Sequence, residues 1–355
     1  MEKKTFYITT PIYYPSGKFH LGTAYTTVLA DTIKKYKQQR GYDARMLTGL
    51  DEHGQKVEQV AVKRGLTPQQ HVDEIAKQAK DLWKLMDDLK EYTKTYRGST
   101  SYSDTYVADD KNVGWFADAT AYNNLKNSML KSVYENGGFY VGRYEAGIAE
   151  NRTSDGPKNS DRKFTIEGMP APVSKADAYP YTYVTRTQAQ NLASNVNSGT
   201  KTSSLMFGVQ WDLVLAFMCK DTTKVNQENL KELISDSKTI GNYQNNLWTI
   251  KNANAQYSKD GGDTFKACQN PFKKESISNI LLTTGADSSF SVQNIYDIAG
   301  NVYEWTLENT SDTNLPCASR GGSYSNTGSG VSAVYRNYFS TVSSPNSIGF
   351  RVSLF

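Results

Sequence analysis

The sequence predicts an α+β chain in two parts. A short parallel α/β segment over residues 1–86 comes first, and a larger region of short strands, few helices and long loops follows. Charge is the first sign. Residues 1–86 hold 14 Lys/Arg against 9 Asp/Glu, and the rest hold 26 against 27, so the net +4 belongs to the first quarter. All three histidines, His20, His53 and His71, also lie there, and all three cysteines, Cys219, Cys268 and Cys317, lie in the rest. Texture is the second sign. Before Met86 the chain is rich in Lys, Gln and Ala. After Tyr92 it turns to Ser, Thr, Asn, Tyr and Gly, which favour loops and strands. Size is the third. With 355 residues, 38% hydrophobic and 21% charged, the chain can bury a core and is not a disordered one.

The first segment reads in order. Thr5–Pro11 is β-branched and aromatic, hence a strand. Pro15, Ser16 and Gly17 turn the chain. Thr23 to Arg40 carries Ala24, Val28, Ala30, Ile33 and Tyr36 at helical spacing, with Gly41 as its stop. Ala44–Leu50 is a second strand, and Gly54–Arg64 a helix stopped by Gly65. Thr67-Pro68-Gln69-Gln70 is a capping box with proline at the first helical position, and its helix runs to about Lys90. Strand, crossover helix and strand open a parallel sheet.

In the second part, Ala117–Tyr134 is helical in pattern and is expected to pack on the domain that follows. Residues 137–148 (GGFYVGRYEAGI) read as a strand bracketed by glycines. Thr187–Asn195 is a short amphipathic helix, and Val209–Met218 a helix apolar on nearly all sides. Asp297–Trp305 is a turn entering a strand, with Trp305 and Trp211 assigned to the core. Asn151–Pro172 is a long polar loop.

Composition excludes several classes. No apolar run approaches the eighteen residues of a membrane span, and no apolar stretch follows the first lysines as in a secretory signal. Three scattered cysteines make neither a disulfide scaffold nor a CxxC zinc site. A cytoplasmic location as synthesised is expected, with a phage particle or surface delivery as the alternative.

Two stretches of the first segment resemble methionyl-tRNA synthetases. Residues 8–23 (ITTPIYYPSGKFHLGT) are similar to the start of that family, and residues 47–56 (LTGLDEHGQK) to a later stretch. His20-Leu21-Gly22-Thr23 stands where class I synthetases carry His-Ile-Gly-His, and Thr23 departs from the second histidine. The resemblance implies a partial Rossmann-type segment. Gly22 would let the backbone approach ATP at a helix N-terminus, and His20 would stabilise charge in adenylation. Tyr14 and Asp51 would touch methionine and adenylate. The resemblance stops near Met86. No Lys-Met-Ser-Lys-Ser loop, zinc-knuckle cysteine pair or anticodon-binding domain follows, and half a nucleotide crevice is expected to be inactive. Residues 87–130 match nothing recognised and are expected to be a linker and helical region.

Residues 131–355 resemble the formylglycine-generating enzyme, or sulfatase-modifying factor, family. Gly300-Asn301-Val302-Tyr303-Glu304-Trp305, then Arg320-Gly321-Gly322-Ser323, then Gly349-Phe350-Arg351 carry the resemblance. It implies an elaborated C-type lectin fold. The family's oxidase needs a cysteine pair, one member just after the final Gly-Phe-Arg; here Val352 follows Arg351, and no cysteine lies beyond Cys317. A related branch holds iron with histidines, which this part lacks. The oxidase activity is therefore not expected. By the same resemblance Asn301 and Glu304 could ligate calcium; a turn-forming Asn301 and a Glu304 paired with an arginine are the equal alternative.

Residues 320–350 are dense in Ser, Tyr, Asn and Gly, the mixture antibody loops use for contact. Fixed-looking flanks around a permissive middle resemble the variable proteins of diversity-generating retroelements. That resemblance suggests Tyr324, Asn326, Thr327, Ser329, Tyr335, Asn337, Tyr338, Ser340 and Ser343 as variable, ligand-facing positions. The expected function is non-catalytic binding or display toward a protein or cell-surface ligand. No cofactor is required, calcium is optional, and ATP enters only if the first segment works. The alternatives are a methionine- and ATP-binding protein derived from the ligase and, disfavoured, a formylglycine-type oxidase. Neither membrane nor nucleic acid is an expected partner, and an open sheet edge invites pairing with a second copy.

Overall fold

The computed structural model describes residues 4–11, 21–49, 55–97, 102–107, 115–148, 169–196, 199–219, 233–269 and 271–355. The chain divides into two compact units, Met1–Met86 and Asp87–Phe355.

In the first unit, β1 (Thr5–Thr9) and β2 (Asp43–Leu47) pair in parallel from Thr5 opposite Asp43 to Thr9 opposite Leu47. Between them runs α1 (Leu21–Gln39), the expected crossover, and Gly41 leaves it at φ 84°. α2 (Gln55–Lys63) ends at Gly65, also at positive φ. α3 (Pro68–Tyr92) begins at the capping box read from sequence. The Gln70 N–H donates to the Thr67 hydroxyl at 3.2 Å, and the Thr67 N–H donates to the Gln70 side chain at 2.9 Å. The Arg64 guanidinium joins α2 to α3 through the Glu74 carboxylate, 3.0 Å from each oxygen.

The second unit starts within the end of α3 and continues through α4 (Lys94–Arg97) to α5 (Ala119–Asn136). Asp118 caps α5 by accepting from the Ala121 N–H, and Gly137 closes it in the left-handed region. α5 packs on the domain as expected: the Tyr122 hydroxyl donates to the Leu307 carbonyl at 2.9 Å, and its ring meets Phe207 edge-on. There follow β3 (Tyr140–Val141), β4 (Gly147–Ile148), β5 (Tyr179–Pro180), α6 (Arg186–Ser194), β6 (Ser203–Leu205) and α7 (Gly208–Met218). The stretch 137–148, read as one strand, is two short ones separated by a turn. Most of the expected polar loop 151–172 lies outside the described residues.

Twelve short strands complete the unit: β7 (Thr249–Ile250), β8 (Gln256–Ser258), β9 (Lys266–Ala267), β10 (Phe272–Lys273), β11 (Leu281–Leu282), β12 (Ser291–Val292), β13 (Ile295–Tyr296), β14 (Tyr303–Asn309), β15 (Cys317–Arg320), β16 (Arg336–Phe339), β17 (Ile348–Phe350) and β18 (Val352–Leu354). The main sheet runs β16-β15-β14-β17, antiparallel except for the parallel pair β14–β17. β18 lies between β3 and β6. Every residue of β14 is buried, so it is the sheet's core strand. Trp211 and Trp305 are fully buried, as assigned.

Candidate ligand-binding surface

The three motifs of the C-terminal part meet on β14. Glu304 lies opposite Arg320 on one side and Gly349 on the other, so sequence stretches tens of residues apart become strand neighbours. Asn301, at φ 53°, is a buried hub. Its side-chain N–H groups reach Glu145 at 2.8 Å, and its side-chain oxygen accepts from Asn242 at 3.0 Å and the Leu282 N–H at 3.1 Å. The Glu304 carboxylate takes Arg351 on both oxygens, and Arg351 also donates to the carbonyls of Gly142 and Tyr296. Asn301 and Glu304 therefore do not fit the calcium-ligating pair, because their oxygens already face protein donors. Turn former and arginine partner are the roles they fill.

Around them sit Glu145 and Asp297. Burial raises the Glu145 carboxyl well above its usual range, and the nearby Asp297 and Glu304 add to the rise. Burial likewise pushes Asp297 up to about 7. The cysteines stay apart: Cys219 follows α7, Cys268 packs with Trp248 and Phe290, and Cys317 lies in β15, and the three form no disulfide. Among the described residues no group of three His, Cys, Asp or Glu side chains is placed to hold a metal.

A second buried network holds up the C-terminal stretch. Arg320 on β15 and Arg336 on β16 face the carboxylates of Asp212 on α7 and Glu308 on β14, at 2.7–3.1 Å. Burial pushes the Glu308 carboxyl up, but the two arginines outweigh it and hold the group below its usual range. Two positive and two negative groups make a closed, neutral frame. The turn above it needs Gly322: its φ is 78°, and a Cβ there would come within 2.8 Å of the Val331 carbonyl.

Over this frame the candidate positions separate. Tyr335, Tyr338 and the neighbouring Val342 are 38, 49 and 55% exposed, and Ser329 is exposed. Asn326, Thr327, Asn337, Ser340 and Ser343 are half-buried. Tyr324 is corrected: it is buried and packs with Leu281 and Val302, so it is a core residue and not ligand-facing. Asn326 is engaged as a turn residue, its side chain accepting from the Ser323 N–H and hydroxyl. Between Ser323 and Gly349 the only charged residue is Arg336, which is buried, so the exposed residues of this stretch carry no charge.

Sequence reading missed one contributor. Residues 102–105 of this unit tie into β14, β16 and the start of α7. Ser103 bridges Asn309 of β14 in both directions, and the Asp104 carboxylate accepts from the N–H groups of Gly208 and Val209 at the start of α7, at 2.7 and 3.0 Å. Tyr102 donates its hydroxyl to the Arg336 carbonyl at 3.1 Å. No periodicity or turn signal marks these residues, which is why they read as linker.

Of the nucleotide-site residues, Tyr14, His20 and Asp51 lie outside the described residues; Gly22 and Thr23 fall in the first turn of α1. No helix among the described residues is long and apolar enough to cross a membrane.

Comparison with known proteins divides the chain in the same sense. Residues 6–110 match the family of tRNA synthetases class I (M), and residues 221–354 match the sulfatase-modifying factor enzyme 1-like domain. The first match runs past Met86 into the second unit, where residues 102–105 hydrogen-bond to β14, β16 and the start of α7. The methionine–tRNA ligase of Clostridium acetobutylicum is 43% identical over 178 residues, which are 50% of this chain and 25% of that protein. That of Streptococcus pneumoniae serotype 4 is 53% identical over 108 residues, 30% of this chain and 16% of that protein. The chain thus spans a quarter or less of these relatives. Among solved structures, Mycobacterium tuberculosis methionyl-tRNA synthetase in complex with methionyl-adenylate is 26% identical, covering 41% of this chain and 24% of that one at a TM-score of 0.21. The structure of CarF is 13% identical and covers 75% of this chain and 80% of that one at a TM-score of 0.25. One polypeptide here carries a segment that matches class I, methionyl-type tRNA synthetases and a segment that matches the sulfatase-modifying factor domain, in a mixed α/β architecture consistent with a C-type lectin-like fold.

Proposed function

We propose that the second unit is a non-catalytic binding module that holds a protein ligand against the uncharged tyrosine face of β16 and its flanking loops. The observation that carries this reading is the exposure of Tyr335, Tyr338 and Val342 above a closed frame of two arginines and two carboxylates. Exposed aromatic area on a rigid support loses little entropy on binding. The contact residues lie between buried anchors, so they can change without disturbing the frame. That separation is what a variable protein of a diversity-generating retroelement would need. The reading calls for neither metal nor nucleotide, and a ligand on a cell surface would meet the same face.

A display library tests it. Ser329, Tyr335, Asn337, Tyr338, Ser340 and Ser343 are randomised together, and the folded pool is selected against immobilised lysozyme. Recovery of folded, saturable binders is expected. A pool that folds but yields no binder, or one that does not fold, would contradict the reading.

The rival function rests on the identity of the first segment to methionine–tRNA ligases. It is a methionine- and ATP-binding activity, and pyrophosphate exchange separates it from the binding module.

A further inference from the structure

We infer that the second unit carries a separate small-molecule site, a cavity between α5 and α6 that takes a small apolar molecule bearing a carboxylate. The cavity shares no residue with the tyrosine face, and the inference does not depend on the binding reading above.

The cavity holds about 630 Å³, within the range of small-ligand sites. Ala121, Asn124, Leu125 and Ser128 recur at i, i+3, i+4 and i+7 on α5, so they share one helical face. The core-packing residues of that helix, Tyr122 and Met129, are different ones and are fully buried. Gln190, Asn191 and Ser194 come from α6, and Gly199, Lys201, Thr202 and Ser203 from the chain entering β6. Ala121, Ser128, Ser194 and Gly199 are small, which leaves the gap between the helices unfilled. Trp115 in the wall is firmly placed. The Arg186 guanidinium lies 3.8 Å from its ring centroid, and the Phe116 ring meets it edge-on at 4.9 Å.

Hydrogen bonding selects the class of ligand. Gln190 is buried, and its side-chain oxygen accepts from the Leu205 N–H at 3.1 Å and the Ser204 hydroxyl at 3.2 Å. A backbone N–H can bond only the oxygen end, so the amide orientation is fixed and the Gln190 amide nitrogen remains as a donor. The buried indole N–H of Trp115 meets no acceptor. The hydroxyls of Ser128, Ser194 and Ser203 already donate to backbone carbonyls. The wall therefore lacks acceptors and holds donors. No Asp or Glu lines the cavity, and its one charged lining residue is Lys201, which is exposed. Arg186 sets a second positive charge against the Trp115 ring. A carboxylate brings two acceptor oxygens and the opposite charge. Phe116, Leu125 and Val196 offer apolar surface to the rest of the molecule. A cation would find no carboxylate in the lining and would be repelled by Lys201.

Calorimetric titration of the full chain tests this with naphthoate and phenylbutyrate, each beside its primary amide. At least one acid is expected to bind saturably and one-to-one below about 1 mM, and about fivefold or more tighter than its amide. Lys201→Gln is expected to remove that preference. Ser128→Trp on α5 and Ser194→Trp on α6 fill the cavity from two exposed positions. Each is expected to weaken binding about tenfold or more while melting stays cooperative. Should one of them not fold, the other decides. Binding left intact by a folded tryptophan variant would overturn the location. Equal affinity for acid and amide would overturn the carboxylate class. No saturable binding of either acid up to about 5 mM would overturn the site itself.

Discussion

Arg320 and Arg336 are cross-strand partners on β15 and β16, and they share the same two carboxylates, Asp212 and Glu308. Side by side, the two guanidiniums would repel; the carboxylates between them make the pair stable. Removing one member strands a buried charge. Glu308→Ala is expected to destabilise the second unit by about 3–5 kcal/mol, whereas replacing the whole frame by apolar residues of similar volume would cost far less. Denaturant titration of the full chain checks this, and a loss under about 1 kcal/mol for Glu308→Ala would show that the frame is not a closed unit.

Asp104 ties the 102–105 strap to α7 by accepting from Gly208 and Val209. Asp104→Ala leaves two buried N–H groups at a helix start without acceptors and is expected to cost about 1–2 kcal/mol. Asp104→Asn keeps one acceptor and loses a charge that burial disfavours, so it is expected to cost less. Thermal melts of both variants give the order, and a larger loss for Asn would contradict it.

Stability should fall as pH rises through neutrality. Burial, aided by Glu308, pushes Asp104 up to about 6, and burial pushes Asp297 up to about 7, while both titrate near 3.9 in an unfolded chain. The folded state thus binds protons more readily than the unfolded one. Their contribution is present at acid pH and is lost as pH climbs through about 6 and then about 7. Glu308 has the opposite sign, but its window lies below the usual carboxylate pKa. Melting temperature is expected to be higher at pH 5 than at pH 8, and Asp297→Asn is expected to flatten the difference. A melting temperature that rises across this range would refute the assignment.

Methionine-dependent ATP–pyrophosphate exchange by the full chain is expected to stay at the level of a control without protein. The first unit has two paired strands among its described residues, and a nucleotide crevice of this type needs two halves meeting at a switch point. Exchange that saturates with methionine would favour the ligase-derived function.

Local signals carried much of this fold. The Thr67–Gln70 box, the glycines at 41 and 65, the apolar spacing of α1 and the apolar run of α7 act within a few residues, and each appears where the sequence placed it. The candidate surface was legible only in part. Tyr338 on β16 and Tyr335 just before it are exposed, but Tyr324, identical in type and following the positive-φ pair Gly321 and Gly322, is buried against Leu281 and Val302. Composition cannot separate tyrosines that differ only in which way the chain turns. Tyr102 and Asp104 were invisible for another reason: their partners, Arg336 and the start of α7, are far along the chain. No short-range pattern encodes such a pairing.

The most direct test of the binding face is the dissociation constant of one selected variant for lysozyme, before and after alanine is placed at 329, 335, 337, 338, 340 and 343 together. The account predicts a loss of about 30-fold or more. The same substitutions should leave melting cooperative and the melting temperature nearly unchanged. Binding that survives all six alanines would place the contact elsewhere and contradict it.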